Sequence, residues 1–300
     1  MLGKVVNFEQ SAANLFNKEA QRPYVRINNK LSVHRPKHQF ISEKDFGYYL
    51  AGVIDGDGSI SKNVNKITIC FHKDDISFAL NLRTRIGYGK VSKRARNSVT
   101  YVVTHTTGLI NILKLIYGKL LVESKINNLD LLLDRLNEKL NVESCFISLK
   151  KPLNNSVLFE TAYLAGLIDT DGSLRVRVLN RKRKSGNFIK EVRLGLRIDL
   201  NIKDRNILDM IYKEIGGSLT KRYHVKSDTW SVSYDTVSFT RIFIILKYLD
   251  QYHLQSKQYL RYTIVRKAFL LVQEKSHLTL LGMGKIEKYV KTLHSISKNS

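Results

Sequence analysis

The sequence predicts an α+β fold built from two similar halves that pack about a pseudo-twofold axis. A nine-residue stretch occurs twice, as LAGVIDGDG at residues 50–58 and as LAGLIDTDG at residues 164–172, with seven identical positions. The same order of helix-like and strand-like segments follows each copy, which indicates a duplicated half-molecule. Because each half reads α-β-β-α-β-β-α with a tail helix, we expect one four-stranded antiparallel sheet per half.

The individual elements follow from local patterns. Ser42 is a suitable N-cap for a helix that ends at the first Asp-Gly pair, because its hydroxyl can accept a hydrogen bond from a first-turn amide. Runs of β-branched residues predict strands, and apolar residues at helical spacing predict helices. After the first motif, strands are predicted near 66–71, 90–94 and 99–104, and helices near 76–86, 109–121 and 126–140. After the second motif, strands are predicted near 174–180, 192–200, 219–224 and 229–235, with helices ending at 215 and beginning near 238 and 256.

Composition suggests the domain boundaries. Residues 41–143 form the first half, residues 144–156 a linker with turn-forming Pro and Asn residues, and residues 157–300 the second half. Residues 1–40 contain seven Lys or Arg and two acids and are a basic N-terminal extension without an assigned role. The second half also carries an extra cationic stretch, Arg181–Lys184, which we expect in a hairpin loop.

The charge balance points to a polyanionic partner. The chain has 50 Lys and Arg against 26 Asp and Glu, a net charge of +24 and a pI near 9.9. Nucleic acid is the commonest partner of such a protein. No apolar run approaches the roughly 18–20 residues of a spanning helix, so no membrane partner is expected. The two cysteines are far apart, which fits a reduced compartment without a disulfide framework.

The repeated stretch combines small residues with acids at a helix end. Its small residues would let two helix backbones touch, which would bring Asp57 and Asp171 together at the helix C-termini. A carboxylate there lies at the negative end of the helix dipole, which costs about 0.3–1 kcal/mol, so a cation should be present. Oxygen ligands suit Mg²⁺, and carboxylates with a metal on a basic surface indicate phosphodiester hydrolysis. The alternative is that both Asp-Gly pairs are only helix caps and turns. Asp55 and Asp169 are expected to have a structural capping role.

The two stretches resemble the LAGLIDADG signature, and their double occurrence resembles the single-chain LAGLIDADG homing endonucleases over about residues 41–275. The resemblance implies that the last acid of each motif binds divalent metal with help from the preceding carbonyl, here Asp57 with Gly56 and Asp171 with Thr170. Mg²⁺ is the expected ion, and Ca²⁺ or Mn²⁺ could substitute in the site.

The same resemblance implies further catalytic residues. A basic residue near the scissile phosphate would be Lys125 in the first half and Lys257 in the second, each directly after a serine. A polar residue at the end of the second strand would hold a water. His72 takes that place in the first half, and Ile202 replaces it in the second when Lys73-Asp74 is matched to Lys203-Asp204. The two cleavage centres are therefore expected to differ.

The two sheets are expected to form a saddle over DNA. Arg175-Val176-Arg177-Val178 places cations on one strand face and β-branched residues on the other. Matching Ser98–Tyr101 to Ser227–Trp230 extends the candidate surface to both halves. The predicted DNA contacts are Ser59, Ser61, Asn63, Lys93, Arg94, Tyr101, Arg175, Arg177, Arg193, Arg197, Arg222, Tyr223 and Trp230.

The leading hypothesis is a monomeric, intron-encoded, Mg²⁺-dependent endonuclease that cuts both strands of a long asymmetric DNA site. An RNA maturase that assists splicing of its host intron RNA, alone or as a dual function, is the alternative. A DNA-binding regulator without catalysis is a third hypothesis, against which the two retained motif acids argue. The resemblance also implies an organellar location, mitochondrial first and chloroplast as the alternative.

Overall fold

The computed structural model describes residues 30–95, 97–140, 158–182, 186 and 188–298. The predicted linker at 144–156, most of the N-terminal extension and Arg183-Lys184 lie outside the described residues. Packing divides the chain into two units, residues 1–31 and residues 32–300. Only Lys30 and Leu31 of the first unit are described, and the elements below belong to the second.

The first half contains four helices and four strands in its described part. In chain order these are α1 (Glu43–Asp57), β1 (Gly58–Ile60), β2 (Ile67–His72), α2 (Ile76–Ile86), β3 (Lys90–Arg94), β4 (Ser98–Val103), α3 (Thr106–Ile116) and α4 (Glu123–Leu140). Ser42 caps α1 as predicted, since its Oγ accepts the amide of Asp45 at 3.2 Å. Gly87 ends α2 in the left-handed conformation, with φ of 82°.

The second half repeats this order and then adds a helix. Its elements are α5 (Tyr163–Asp171), β5 (Gly172–Lys182), β6 (Phe188–Asn201), α6 (Arg205–Ile215), β7 (Ser218–His224), β8 (Thr229–Thr236), α7 (Phe239–Gln251), α8 (Gln258–Gln273) and α9 (Leu280–Lys298). Helix α9 was not predicted; it packs on β5 and α8, and its Ile286 and Leu293 are buried. No helix in the described ranges is long and apolar enough to cross a bilayer.

Each half forms one antiparallel sheet of four strands, ordered β1-β2-β4-β3 and β5-β6-β8-β7. This confirms the predicted α+β fold of duplicated halves. In both sheets alternate residues are buried against the helices, and the residues between them lie on an open face. The open faces are the main surfaces on which predicted DNA contacts would lie.

The strand register corrects the sequence alignment of the two halves. Gly58 pairs with Ile69, and Gly172 pairs with Ile198. Counting along β2 and β6 from these pairs, His72 corresponds to Asn201 and not to Ile202. The matches of Lys73-Asp74 to Lys203-Asp204 and of Ser98–Tyr101 to Ser227–Trp230 are therefore wrong. The alignment failed because chemically similar residues occur one and four positions away from the true equivalents.

The last part of the predicted N-terminal extension packs against the second half. His38 Nε2 lies 3.1 Å from the carbonyl oxygen of Leu254, and the amide of Gln39 donates to Nδ1 of His253 at 2.8 Å. Arg266, which is 2% exposed, donates to the carbonyl of Ser32 at 2.9 Å. Residues 32–40 thus belong structurally to the folded unit.

Candidate active site

Helices α1 and α5 meet with their backbones in contact. A Cβ added at Gly52 would lie 2.1 Å from the carbonyl oxygen of Tyr163, and one at Gly166 would lie 2.1 Å from that of Tyr49. Real Cβ atoms essentially never approach other heavy atoms within 3.0 Å. The two motif glycines are therefore required by the helix contact, as the small-residue pattern predicts.

The same contact explains one difference between the two motifs. A Cβ at Gly56 would lie 2.0 Å from Oγ1 of Thr170 and 2.7 Å from Oδ2 of Asp171. The Thr170 hydroxyl donates to the carbonyl of Leu167 at 3.0 Å and fills the space that a side chain at position 56 would need. Only one of these two facing positions can carry a side chain.

The first acid of each motif fastens the two halves to each other. Asp55 Oδ2 accepts from Tyr163 Oη at 2.6 Å, and Asp169 Oδ2 accepts from Tyr49 Oη at 2.5 Å. Burial raises the pKa of each carboxyl to about 6, although the hydrogen bonds oppose that shift. A buried hydrogen-bonded acid of this kind is structural, but these two acids join the halves across the helix contact and do not cap the motif helices.

Each of these acids also binds the loop that precedes the tail helix of its own half. The amide of Leu121 donates to Asp55 at 2.6 Å. Asp169 accepts the amide of Gln255 at 2.7 Å, the amide of Ser256 at 3.1 Å and the hydroxyl of Ser256 at 2.5 Å. The loop of the second half is therefore held by more hydrogen bonds than that of the first.

The second acid of each motif lies at the open end of the joint. Burial and the neighbouring charge of Asp57 raise the pKa of Asp171 to about 7. Burial also raises the pKa of Asp57, and the cation of Lys125 opposes the shift. Asp171 is half-buried and Asp57 is exposed at the mouth of the joint, and two such carboxylates at adjacent helix C-termini favour a cation between them.

Lys125 supplies a positive charge at this place. Its Nζ donates to the carbonyl oxygens of Ile54 at 2.7 Å, Asp55 at 2.6 Å and Gly56 at 3.1 Å, all at the C-terminus of α1. An ammonium group there compensates the helix dipole. Burial lowers the pKa of Lys125, and the nearby carboxylates oppose that shift. The Gly56 carbonyl, predicted as a metal ligand, is thus engaged by Lys125 in this structure.

Lys257 reaches the site differently from Lys125. It directly precedes the first residue of α8, whereas Lys125 is the third residue of α4. The predicted equivalence of the two Ser-Lys pairs is therefore wrong. Lys257 donates its amide to Oδ1 of Asp75 at 2.8 Å, and its Nζ lies 3.7 Å from Oδ2 of the same residue.

The strand-end positions carry His72 in the first half and Asn201 in the second. Each side chain accepts an amide of the following 3₁₀ turn: His72 that of Asp74 at 3.3 Å, and Asn201 that of Lys203 at 3.0 Å. His72 Nε2 is buried without a hydrogen-bond partner among the described residues. Asn201 was missed because the sequence alignment was shifted by one residue, and both halves in fact have a polar group here.

Register divides the predicted DNA contacts between two faces. The open faces carry Ser59, Arg94, Arg175, Arg177, Arg193, Arg197 and Arg222. Alternation turns the predicted contacts Lys93, Tyr101, Tyr223 and Trp230 toward the helix side of the sheets. Lys93, Tyr223 and Trp230 are exposed near the strand ends and stay predictions, whereas the prediction of Tyr101 as a DNA contact is wrong. Tyr101 is only 1% exposed and donates to the carbonyl of Tyr88 at 2.5 Å. Its counterpart by register is Tyr234, which bonds the Gly216 carbonyl in the same way.

The open face of the second sheet is rich in paired arginines. Arg175 forms an ion pair with Asp235, and Arg197 donates to Asp199 at 2.9 Å and to Ser233 at 2.6 Å. Arg193 donates to Glu191 at 2.8 Å. A cleft of about 650 Å³ is lined in part by Arg175, Arg177, Arg197, Arg222 and His224. Arg175, Arg193 and Arg197 are thus held in place on a surface suited to an anionic ligand.

In the first half, Ser61 and Asn63 lie in the turn between β1 and β2, and a helix side chain holds this turn. Arg135 of α4 donates to Asn65 Oδ1 at 3.0 Å, to the Lys62 carbonyl at 2.6 Å and to the Ser61 carbonyl at 3.1 Å. The sequence analysis did not identify Arg135. An isolated arginine on a predicted amphipathic helix carries no signal that it reaches a turn some seventy residues earlier.

The donor set fits a divalent cation. No group of three His, Cys, Asp or Glu side chains converges on a metal position within the described ranges. Mg²⁺ typically takes one or two protein carboxylates and fills its remaining positions with water and substrate phosphate oxygens. Asp57 and Asp171 provide such a pair, and their raised pKa values reflect a charge that a cation would relieve.

Comparison with known proteins supports the same interpretation. The LAGLIDADG endonuclease family matches residues 164–269. An uncharacterized cox1 intron-2 protein of Schizosaccharomyces pombe is 34% identical over 93% of this chain and 83% of its own length. A probable intron-encoded endonuclease of Neurospora crassa is 24% identical, and the intron-encoded DNA endonuclease aI3 of Saccharomyces cerevisiae is 26% identical. The matches cover 86% and 57% of this chain, but only 46% and 45% of those two relatives.

Solved structures share the fold. The meganuclease I-AabMI bound to uncleaved DNA has a TM-score of 0.65 at 19% identity, over 82% of this chain and 98% of its own. The meganuclease I-SmaMI bound to DNA has a TM-score of 0.62 at 19% identity, over 81% of this chain and 97% of its own. The relatives with named activities are endonucleases, so the maturase alternative is not favoured. From its duplicated motif, its helix joint and these relatives, the chain belongs to the LAGLIDADG homing endonuclease family.

Proposed function

We propose that the protein is a Mg²⁺-dependent, site-specific endonuclease that cuts both strands of a long asymmetric DNA site as a monomer. The observation that carries this proposal is the pair Asp57 and Asp171, an exposed and a half-buried carboxylate side by side at the ends of touching helices. A structural joint alone does not need these acids, because Asp55 and Asp169 already fasten the two halves.

In this proposal Asp57 and Asp171 would hold the metal, with the Thr170 carbonyl as a further candidate ligand. Bound there, the metal would supply Lewis-acid stabilisation of the scissile phosphate and of its attacking water. Both carboxylates must be ionised to bind it, so protons compete with metal at the raised pKa of Asp171.

The remaining polar groups would act on water and phosphate. Because Nδ1 of His72 accepts an amide, the buried Nε2 carries the ring proton and would donate a hydrogen bond to a water at the end of β2. Asn201 would take the corresponding place at the end of β6. Lys257 would present a cation to the phosphate, and Lys125 would hold the end of α1 while adding positive potential near Asp171.

The open sheet faces would bind the DNA. The arginines of the second sheet are restrained by acids and hydroxyls, which favours base-edge contacts of defined geometry over loose phosphate contacts. The first sheet has a shorter first strand, and half of its open-face residues are Ser or Thr, so the two half-sites should differ in sequence. An intron-encoded origin like that of the relatives would place the protein in mitochondria.

Selection of cleavable duplexes from a randomised DNA library tests the proposal. With Mg²⁺, we expect recovery of one long asymmetric sequence cut on both strands. The matched reaction with EDTA should yield no cut DNA, and Ca²⁺ or Mn²⁺ can replace Mg²⁺ in parallel reactions. Failure to recover any cut duplex with Mg²⁺, by a folded protein that binds DNA, would contradict the proposal.

A further inference from the structure

Asp75 is a buried acid at the boundary between the two halves. It follows His72 by three residues, ends a 3₁₀ turn and is 8% exposed. Its carboxylate reaches the second half, where Oδ1 accepts the amide of Lys257 and Oδ2 lies 3.7 Å from the Lys257 ammonium. An acid of the first half therefore holds both the backbone and the side chain of a candidate active-site lysine in the second.

Two acids together bind three consecutive amides of this loop. Asp169 accepts those of Gln255 and Ser256 from its own half, and Asp75 accepts that of Lys257 from the other half. Such a run of charge-assisted hydrogen bonds fixes the backbone just before α8. The side chains of Lys257 and Asp75 are 19% and 10% exposed, so the pair is shielded from screening by solvent.

Lys125 is held in another way. Its ammonium donates to three carbonyl oxygens at the end of α1, in its own half. Asp204 is the register equivalent of Asp75 and adds electrostatic attraction to Lys125 from the second half. The position of Lys257 thus depends on an acid across the interface, whereas that of Lys125 depends mainly on helix carbonyls.

We propose that Asp75 is a positioning residue that holds Lys257 in the cleavage centre serving one of the two DNA strands. The inference rests on the proposed endonuclease function. Loss of the Asp75 carboxylate charge weakens the hold on Lys257 in one centre only. The enzyme should then cut one strand slowly and the other at its normal rate, and nicked DNA should accumulate.

The test is single-turnover cleavage with Mg²⁺ of the duplex recovered by selection, with the two strands labelled separately. For Asp75→Asn we expect the rate on one strand to fall about tenfold relative to the other. The ratio of the two rates does not depend on the folded fraction, so partial unfolding cannot imitate the effect. Asp209→Asn, which removes only a surface ion pair with Arg205, is the control and should leave the ratio unchanged.

A double-mutant cycle identifies the partner. In a Lys257→Ala background, Asp75→Asn should cause no further change in the strand ratio, because the group that it positions is gone. An unchanged ratio in Asp75→Asn, with wild-type protein cutting both strands, would overturn the inference and leave the endonuclease function standing. Absence of cleavage by wild-type protein would overturn the endonuclease function and this inference with it.

Discussion

In the first half of the molecule, Asp55 joins Tyr163 to the amide of Leu121, and the β1 strand that follows has only three residues. In the second half, Asp169 makes the equivalent tyrosine and amide bonds and also binds Ser256, and β5 has eleven residues. The helix joint is nearly symmetric, but the structures that depend on it are not. Backbone contact at the joint permits only glycine at two positions, whereas loops and sheets away from it can differ.

The largest expected effect comes from the joint itself. Gly52→Ala places a methyl group 2.1 Å from a carbonyl oxygen of the facing helix, and Gly166→Ala does the same from the other side. Both variants should lose several kcal/mol of stability, about 3 or more, because backbone atoms cannot move aside cheaply. Gly284→Ala, where nothing lies within 4 Å of the added Cβ, is the matched control in a helix. A thermal unfolding midpoint equal to that of wild type in either joint variant would refute the symmetric contact.

Substitutions of Asp55 and Asp169 should lower the stability of the protein by different amounts. Asp169→Asn weakens the hydrogen bonds from a tyrosine, from two loop amides and from the Ser256 hydroxyl. Asp55→Asn weakens fewer hydrogen bonds, because no hydroxyl among the described residues of its loop donates to it. We expect Asp169→Asn to cost about 1–3 kcal/mol more than Asp55→Asn in urea unfolding. Equal losses would show that the extra hydrogen bonds of the second half contribute nothing.

Replacing a motif acid at the open end should raise the stability of the metal-free protein, whereas replacing Asp55 or Asp169 should lower it. The pKa of Asp171 is raised to about 7 in the folded protein, so the folded state binds the proton more tightly than the unfolded state, whose ordinary value is 3.8. Without metal, ionisation of this group therefore lowers stability as the pH rises from about 4 to 7, and the loss is complete above 7.

Asp171→Asn should remove this loss and stabilise the metal-free protein by roughly 1–3 kcal/mol at pH 8. The gain should be nearly gone at about pH 3, below the unfolded value of 3.8, where the wild-type carboxyl is largely protonated in both states. Urea unfolding in EDTA at the two pH values measures it, with Asp228→Asn in an exposed turn as the control. A variant less stable than wild type at pH 8 would contradict the assignment of a strained, unneutralised carboxylate.

The smallest expected effect concerns the turn of the first sheet. Arg135→Ala removes the hydrogen bonds that hold the turn carrying Ser61 and Asn63. DNA affinity should fall about three- to tenfold, and base preference should relax only in the half-site bound by the first half. Arg205→Ala, which removes a surface pair on α6, should change neither. Equal relaxation in both half-sites would refute a local role for Arg135.

The sequence was sufficient to predict the duplicated fold because the glycine-rich motif and the strand–helix order repeat locally. A structural role for Asp55 and Asp169 was also predictable, since their spacing turns them away from the helix ends. The equivalence of His72 and Asn201 was not, because it depends on strand register. Contacts between the two halves, such as that of Asp75 with Lys257, depend on how the halves pack, and no local sequence pattern encodes that packing. The burial of Tyr101 was equally hidden, because the face on which a strand residue lies depends on how its strand pairs.

The central claim is that Asp57 and Asp171 bind the catalytic metal at the end of the helix joint. Its most direct test measures cleavage and binding of the selected duplex by Asp57→Asn and Asp171→Asn, with Mg²⁺ for cleavage and Ca²⁺ for binding. The account predicts that double-strand cleavage disappears in both variants while DNA affinity stays within about threefold of wild type. Full double-strand cleavage by either variant would contradict it.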